Sequence, residues 1–150
     1  MIEPDRKQSL EPVAIFHAIG ALLRGSGTLN LTSATLLGFN GSVTPGPDLA
    51  AGTLNITRTT LTFGSGTDFT AEIGGLNPGT EHDELVVSGS LVLDGDLFVN
   101  ELPGFTPSGG QMFTVIRAPV GVPITGNFVS TPPNWVALVI GNTVVLEYMP

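Results

Sequence analysis

The chain has 150 residues, 41% of them hydrophobic and only 12% charged, which is enough apolar material for one domain and excludes a chain disordered throughout. A formal net charge of -8 with 5 Lys and Arg excludes a duplex-binding surface, because phosphate recognition depends on basic side chains. The absence of cysteine excludes disulfides, thiolate metal sites and thiol nucleophiles, and no apolar run approaches the ~20 residues of a membrane-spanning helix.

At the start, Met1 to Glu11 mixes Glu3, Asp5 and Glu11 with Arg6 and Lys7, unlike the basic and then apolar pattern of a secretory leader. Residues 11–23 predict a helix. Pro12 suits a first helical turn, Val13, Phe16, Ile19 and Leu23 recur at helical spacing, and Arg24-Gly25 supplies a stop. Residues 1–24 therefore read as an extension whose helix caps the β-structure or docks on a neighbouring subunit through Phe16, Ile19 and Leu23.

From Gly27 the apolar period changes to two, and residues 25–150 read as one β-repeat domain. Three segments resemble one another: Gly27 to Thr32, Gly52 to Thr57 and Gly89 to Asp94, each beginning with Gly and a small hydroxyl residue before alternating apolar positions. The first two are 25 positions apart, which predicts stacked coils with Leu29 over Leu54 and Asn30 over Asn55. The interval of 37 to the third predicts a projecting loop within Gly64–Gly79. The expected fold class is all-β, a short β-solenoid or a β-sandwich with an N-terminal helix.

Further strands are expected at Glu84–Ser88, Gln111–Arg117, Trp135–Ile140 and Thr143–Tyr148, with Gly141-Asn142 as a tight hairpin turn between the last two. Few charges occur from Trp135 to Val145, so this hairpin lacks the gatekeepers of an isolated sheet edge. Val144 and Leu146 are accordingly candidate subunit contacts. Trp135, after Pro132-Pro133-Asn134, is a core residue or a carbohydrate-stacking platform.

Residues 79–128 carry Gly79-Thr80-Glu81-His82-Asp83-Glu84-Leu85, Gly89-Ser90-Leu91-Val92-Leu93-Asp94-Gly95-Asp96, Gly104-Phe105-Thr106-Pro107, Gly110-Gln111-Met112-Phe113 and Gly126-Asn127-Phe128. This stretch resembles a segment near the C-terminal ends of large secreted bacterial β-helix proteins, including autotransporter-associated repeat proteins and exported proteins with a PEP-type sorting tail. That family usually has Tyr where this chain has His82. The resemblance implies a right-handed β-helix or its closing cap, an exported location and a structural or adhesive role. The chain departs from the pattern in lacking a sorting tail after Tyr148 and in its N-terminal helix.

Asp83, Asp94 and Asp96 are the candidate metal ligands, since close carboxylates with loop carbonyls suit Ca²⁺, although no known Ca²⁺ loop spacing is present. Asp83 also suits capping of turn amides before the Leu85 strand. Asp83 facing Asp94 or Asp96 is the one glycosidase-like pairing, and short coils leave little groove for it. His17 and His82 are isolated, Gly64-Ser65-Gly66-Thr67 lacks the Lys of a phosphate loop, and no nucleophile elbow occurs. The expectation is a non-enzymatic bacterial extracellular or cell-surface protein without a required cofactor, self-associating into a homo-oligomer or filament. The alternative is an adhesin module that binds polysaccharide or a host surface.

Overall fold

The computed structural model describes residues 15–32 and 35–150, and within them the chain forms thirteen strands and no helix. One sheet contains β1 (Ile15–Gly25), β3 (Thr35–Pro45), β6 (Asp68–Ile73) and β9 (Asp96–Glu101), in the order β1-β3-β6-β9. A second contains β2 (Gly27–Asn30), β4 (Thr53–Thr57), β7 (Glu84–Val87) and β10 (Met112–Arg117). It is extended by the hairpin of β12 (Trp135–Ile140) and β13 (Thr143–Tyr148), giving the order β12-β13-β10-β7-β4-β2. The third contains β5 (Thr60–Thr62), β8 (Ser90–Leu93) and β11 (Thr125–Gly126). Successive coils pair in parallel and the architecture is a β-solenoid of about three turns, which decides against the sandwich.

Each coil sends alternate side chains into one interior. Leu54 lies over Leu85, Leu61 over Leu91 and Phe69 over Leu97, all buried. Phe39, Phe63, Phe69 and Phe128 form an aromatic column with ring centroids 6.3, 6.5 and 5.8 Å apart. Burying one such side chain contributes about 1.5–3 kcal/mol, so the column and the Leu ladders dominate the favourable side of folding.

Three sequence expectations are corrected here. The helix over residues 11–23 is not formed where the chain is described: Ile15–Gly25 is strand β1, parallel to β3, and residues 11–14 lie outside the described residues. Two register shifts, between Phe16 and Ala18 and between Ile19 and Leu22, accommodate a pattern that does not alternate cleanly. The backbone ladder to β3 outweighs the weak helical propensity of a segment that contains Ile15, Ile19 and Gly20.

Register is the second correction. Leu29 pairs with Ile56 and Thr28 with Asn55, two residues away from the expected ladder. Asn30 ends its strand, its carboxamide oxygen accepting the Thr32 N–H (3.0 Å) and hydroxyl (2.7 Å) to turn the corner, whereas Asn55 is mid-strand. A slip of two keeps every side chain on its expected face, so Leu29, Leu54 and Ile56 all point inward.

The third correction concerns the last repeat. Ser90–Val92 stacks on Thr60–Thr62, while Glu84–Val87 stacks on Thr53–Ile56. Gly64–Gly79 is therefore not one loop, because it contains β6; the excursions from the coil on either side of it include a Gly46–Gly52 strap and a loop from Gly74 to Asp83. The C-terminal hairpin matches its expectation, with Ile140 opposite Thr143 and Gly141 at φ 59, a first turn position suited to Gly.

Coil spacing leaves specific glycines no room. Gly95 has φ 81, and a Cβ there would lie within contact distance of the Thr67 carbonyl oxygen of the preceding coil, whereas Gly104 has φ 87 with nothing within 4 Å. Gly104→Ala is expected to cost about 1–2 kcal/mol from its backbone conformation alone. Gly95→Ala should cost about 2–3 kcal/mol more, because the chain must also be pushed apart. Urea denaturation of both variants measures the difference, and equal losses would contradict the close approach of the coils.

Candidate functional site

The strap between β3 and β4 folds over β6, and two acidic residues are buried beneath it. Glu72 occupies an outward position of β6 and is 1% exposed; Asp83, just before β7, is fully buried. Asp83 Oδ1 accepts the Gly52 N–H at 3.1 Å and Oδ2 accepts the Glu72 N–H at 2.9 Å. Glu72 Oε2 accepts the Leu49 N–H at 2.9 Å, and Oε1 is buried without a hydrogen-bond partner. Burial pushes the Asp83 carboxyl up from 3.8 to about 8, aided by the Glu72 charge and opposed by the two amides and by Arg24. Arg24 itself pairs with Asp48 on the strap at 2.8 Å.

Two neighbours of Asp83 are also in the interior. His82 is fully buried, edge-on to Phe113 with centroids 5.6 Å apart, and its ring nitrogens lie 3.0 Å from the Gly75 carbonyl oxygen and 2.9 Å from that of Thr114. It ties the Gly74–Asp83 loop to β10. Glu84 is paired with Arg117 of the next coil, whose Nε lies 3.1 Å from Glu84 Oε2. Asp83 thus caps amides as the sequence suggested, although those of Gly52 and Glu72 rather than of its own turn.

The three candidate calcium ligands are dispersed. Asp94 caps the Gly95 N–H at 2.8 Å in the β8–β9 corner, and Asp96 accepts the Ser130 hydroxyl at 2.9 Å. Among the described residues, no group of three or more His, Asp or Glu is arranged to hold a metal ion. Glu72 was missed from sequence because nothing in Asp68–Ile73 signals that a distant strap covers an outward side chain.

The predicted contact residues are also relocated. Leu23 is 2% exposed and Val144 and Leu146 are fully buried, so all three belong to the core rather than to a subunit interface. Phe16 and Ile19 lie in β1, and their side chains are outside the described portion. Trp135 is 5% exposed, packed between Phe113 (5.6 Å) and Tyr148 (5.1 Å), and offers no face to a sugar. An open groove of about 460 Å³ lies instead at a solenoid corner, where Thr32, Arg58, Thr60, Ser88 and Ser90 line it together with Val122. Arg58 donates there to the Thr60 and Leu31 carbonyls.

The remaining feature is the edge of the six-stranded sheet. Among the described residues β12 pairs on one side alone, and it carries no charge. Ala137 and Val139 pack toward the core, while Val136 (37%) and Ile140 (53%) are exposed on the opposite face. Asn134 accepts the Met149 N–H, so the alternation of an antiparallel ladder places the bonded pairs at Val136–Glu147, Leu138–Val145 and Ile140–Thr143. The backbone groups of Ala137 and Val139 therefore point away from β13, along the open edge.

Truncation distinguishes a core tryptophan from a surface one. Trp135→Ala is expected to lower stability by about 3–5 kcal/mol, against about 0.5 kcal/mol or less for a surface platform. As the single Trp, its native fluorescence should be blue-shifted and move red on unfolding; a solvent-like native emission would contradict the packing. No family model matches this chain, and no curated protein matches it.

Proposed function

We propose that the protein is a non-catalytic structural module whose copies join end to end through β12 into a filament or surface assembly. The observation that carries this reading is the open edge of Trp135–Ile140, uncharged and aliphatic on its exposed face, with outward-directed backbone groups at Ala137 and Val139. Its polarity supports a second copy of this chain as the occupant. β12 runs antiparallel to β13, which runs antiparallel to β10, so β12 points the same way as β2 at the far edge of the same sheet. Head-to-tail pairing of β12 with β2 of the next copy continues the parallel ladder, and such a heterologous contact propagates instead of closing.

The non-catalytic part of the reading is supported by the commitments of the acidic residues: Asp83 to two backbone amides, Glu84 to Arg117 and Asp96 to Ser130. The extracellular, bacterial setting rests on the likeness of residues 79–128 to exported β-helix proteins. A second reading, a polysaccharide-binding adhesin, is favoured by the corner groove, to which Thr32, Thr60, Ser88 and Ser90 bring hydroxyls, rather than by Trp135. Retention on insoluble polysaccharides that is lost on substituting Ser88 and Ser90 would favour it.

Ala137→Pro removes an outward N–H without breaking a bond to β13, and proline is tolerated at such edge positions. In sedimentation velocity and negative-stain electron microscopy the native chain should form elongated, concentration-dependent assemblies. Ala137→Pro, and Val136→Lys with Ile140→Lys, should remain monomeric with unchanged circular dichroism. A native chain that stays monomeric at its highest attainable concentration would rule out the proposal, and a closed dimer would rule out its head-to-tail form.

A further inference from the structure

The strap Gly46–Gly52 has the attributes of a conformational device independent of the sheet edge. Its attachments are few and specific. The Leu49 amide is held by Glu72, the Gly52 amide by Asp83, Asp48 by Arg24, and Gly46 by a two-way bridge to Gly25 at 2.9 and 3.0 Å. Leu49 has φ 56, a left-handed conformation that is strained for a branched aliphatic residue, and the residue is 62% exposed, so packing does not hold it there.

The attachment point itself lacks a donor. Glu72 Oε1 is the one buried side-chain nitrogen or oxygen without a partner among the described residues. Two buried acidic side chains whose charges act on one another are destabilised when both are ionised, and a proton on Asp83 relieves that repulsion. We propose that the strap is a proton-latched clasp, closed while the buried Asp83 carboxyl retains its proton beside Glu72 and released when that proton is lost to solvent.

The charged surroundings favour this assignment. Arg24 of β1 faces the pair and offsets part of its charge while bound to Asp48 of the strap. Glu84 is directed to Arg117, His82 to the Gly75 and Thr114 carbonyls, and Glu81 to the Asn77 carboxamide at 2.6 Å. The neighbouring titratable groups thus have partners of their own, and the proton is left to Asp83. Release frees the strained Leu49 and uncovers the outward face of β6 around Glu72, a surface that the closed strap conceals.

The sign of the pH dependence follows from Asp83, whose carboxyl is raised from 3.8 to about 8 in the closed state. Closure is fully favoured below about pH 4, weakens as pH rises, and ceases to weaken above about pH 8. Hydrogen exchange at the Leu49 and Gly52 amides, corrected for intrinsic base catalysis, should lose protection by about tenfold per pH unit across that window and then level off. At every pH in the window these amides should be less protected than that of Leu91, which opens only with the whole fold. Asp83→Asn should flatten the profile. A pH-independent profile in the native chain, an unchanged slope in Asp83→Asn, or strap protection equal to that of Leu91 would each overturn the clasp. Should Asp83→Asn fail to fold, carbon-13 titration of the native Asp83 carboxyl decides, and a midpoint in the ordinary carboxylate range rejects the proposal.

Discussion

Parallel pairing between successive coils is the constraint on which the other features depend. Each coil satisfies its backbone amides and carbonyls on the coils before and after it, and the strand spacing of about 4.8 Å brings the corners equally close. At Gly89 and Gly95 an added Cβ would meet main-chain oxygen of the preceding coil, at Thr59 and Thr67 respectively. The same spacing superimposes Leu54 on Leu85 and Leu61 on Leu91, so one repeating geometry satisfies hydrogen bonds and fills the interior. With stacking as their source of order, the described residues close their core with neither disulfide nor helix.

The ladder also determines what becomes of charge. A polar side chain pointing out of a solenoid face is ordinarily solvated, and Glu72 occupies such a position in β6. It is buried because the chain between β3 and β4 crosses that face, and Asp83 is drawn into the same space by the amides of Glu72 and Gly52. Two amide donors would ordinarily stabilise a carboxylate, yet removal from water outweighs them at Asp83. Glu84 illustrates the other solution, with Arg117 of the next coil compensating a nearly buried carboxylate. Neighbours in sequence, the two acids differ because one has a cation within reach and the other has mainly backbone.

A parallel stack must end somewhere, and the two ends of the six-stranded sheet are treated differently by the chain. The C-terminal end is finished by the β12–β13 hairpin, which reverses direction twice and returns an edge with the polarity of the coils beneath it. Trp135, Phe113, Phe105 and Tyr148 pack under that hairpin and seal the interior. The hairpin therefore protects the core while leaving a strand edge available, which ties the packing of Trp135 to the assembly proposed for β12.

Much of the fold was legible in the sequence because period-two alternation reports which side of a strand is inward, and that property survives a register slip of two residues. The strands at Glu84–Val87, Met112–Arg117, Trp135–Ile140 and Thr143–Tyr148, the Gly141-Asn142 turn and the uncharged final edge were all readable for this reason. Local pattern could not decide the state of Ile15–Gly25, whose apolar residues fit a helical stripe until β3 offers a parallel partner. Nor could it identify which repeat lies over which, since Gly89–Asp94 resembles Gly52–Thr57 in composition but stacks on Thr60–Thr62. The candidate site was the least legible part. Asp83 and Trp135 were recognised as residue types, but their burial depends on the strap and the hairpin, and Glu72 gave no signal. Alternation is written along one strand, whereas coverage and register are set by segments distant in the chain, such as the strap, whose Leu49 stands 23 residues before Glu72, and only the assembled structure brings them together.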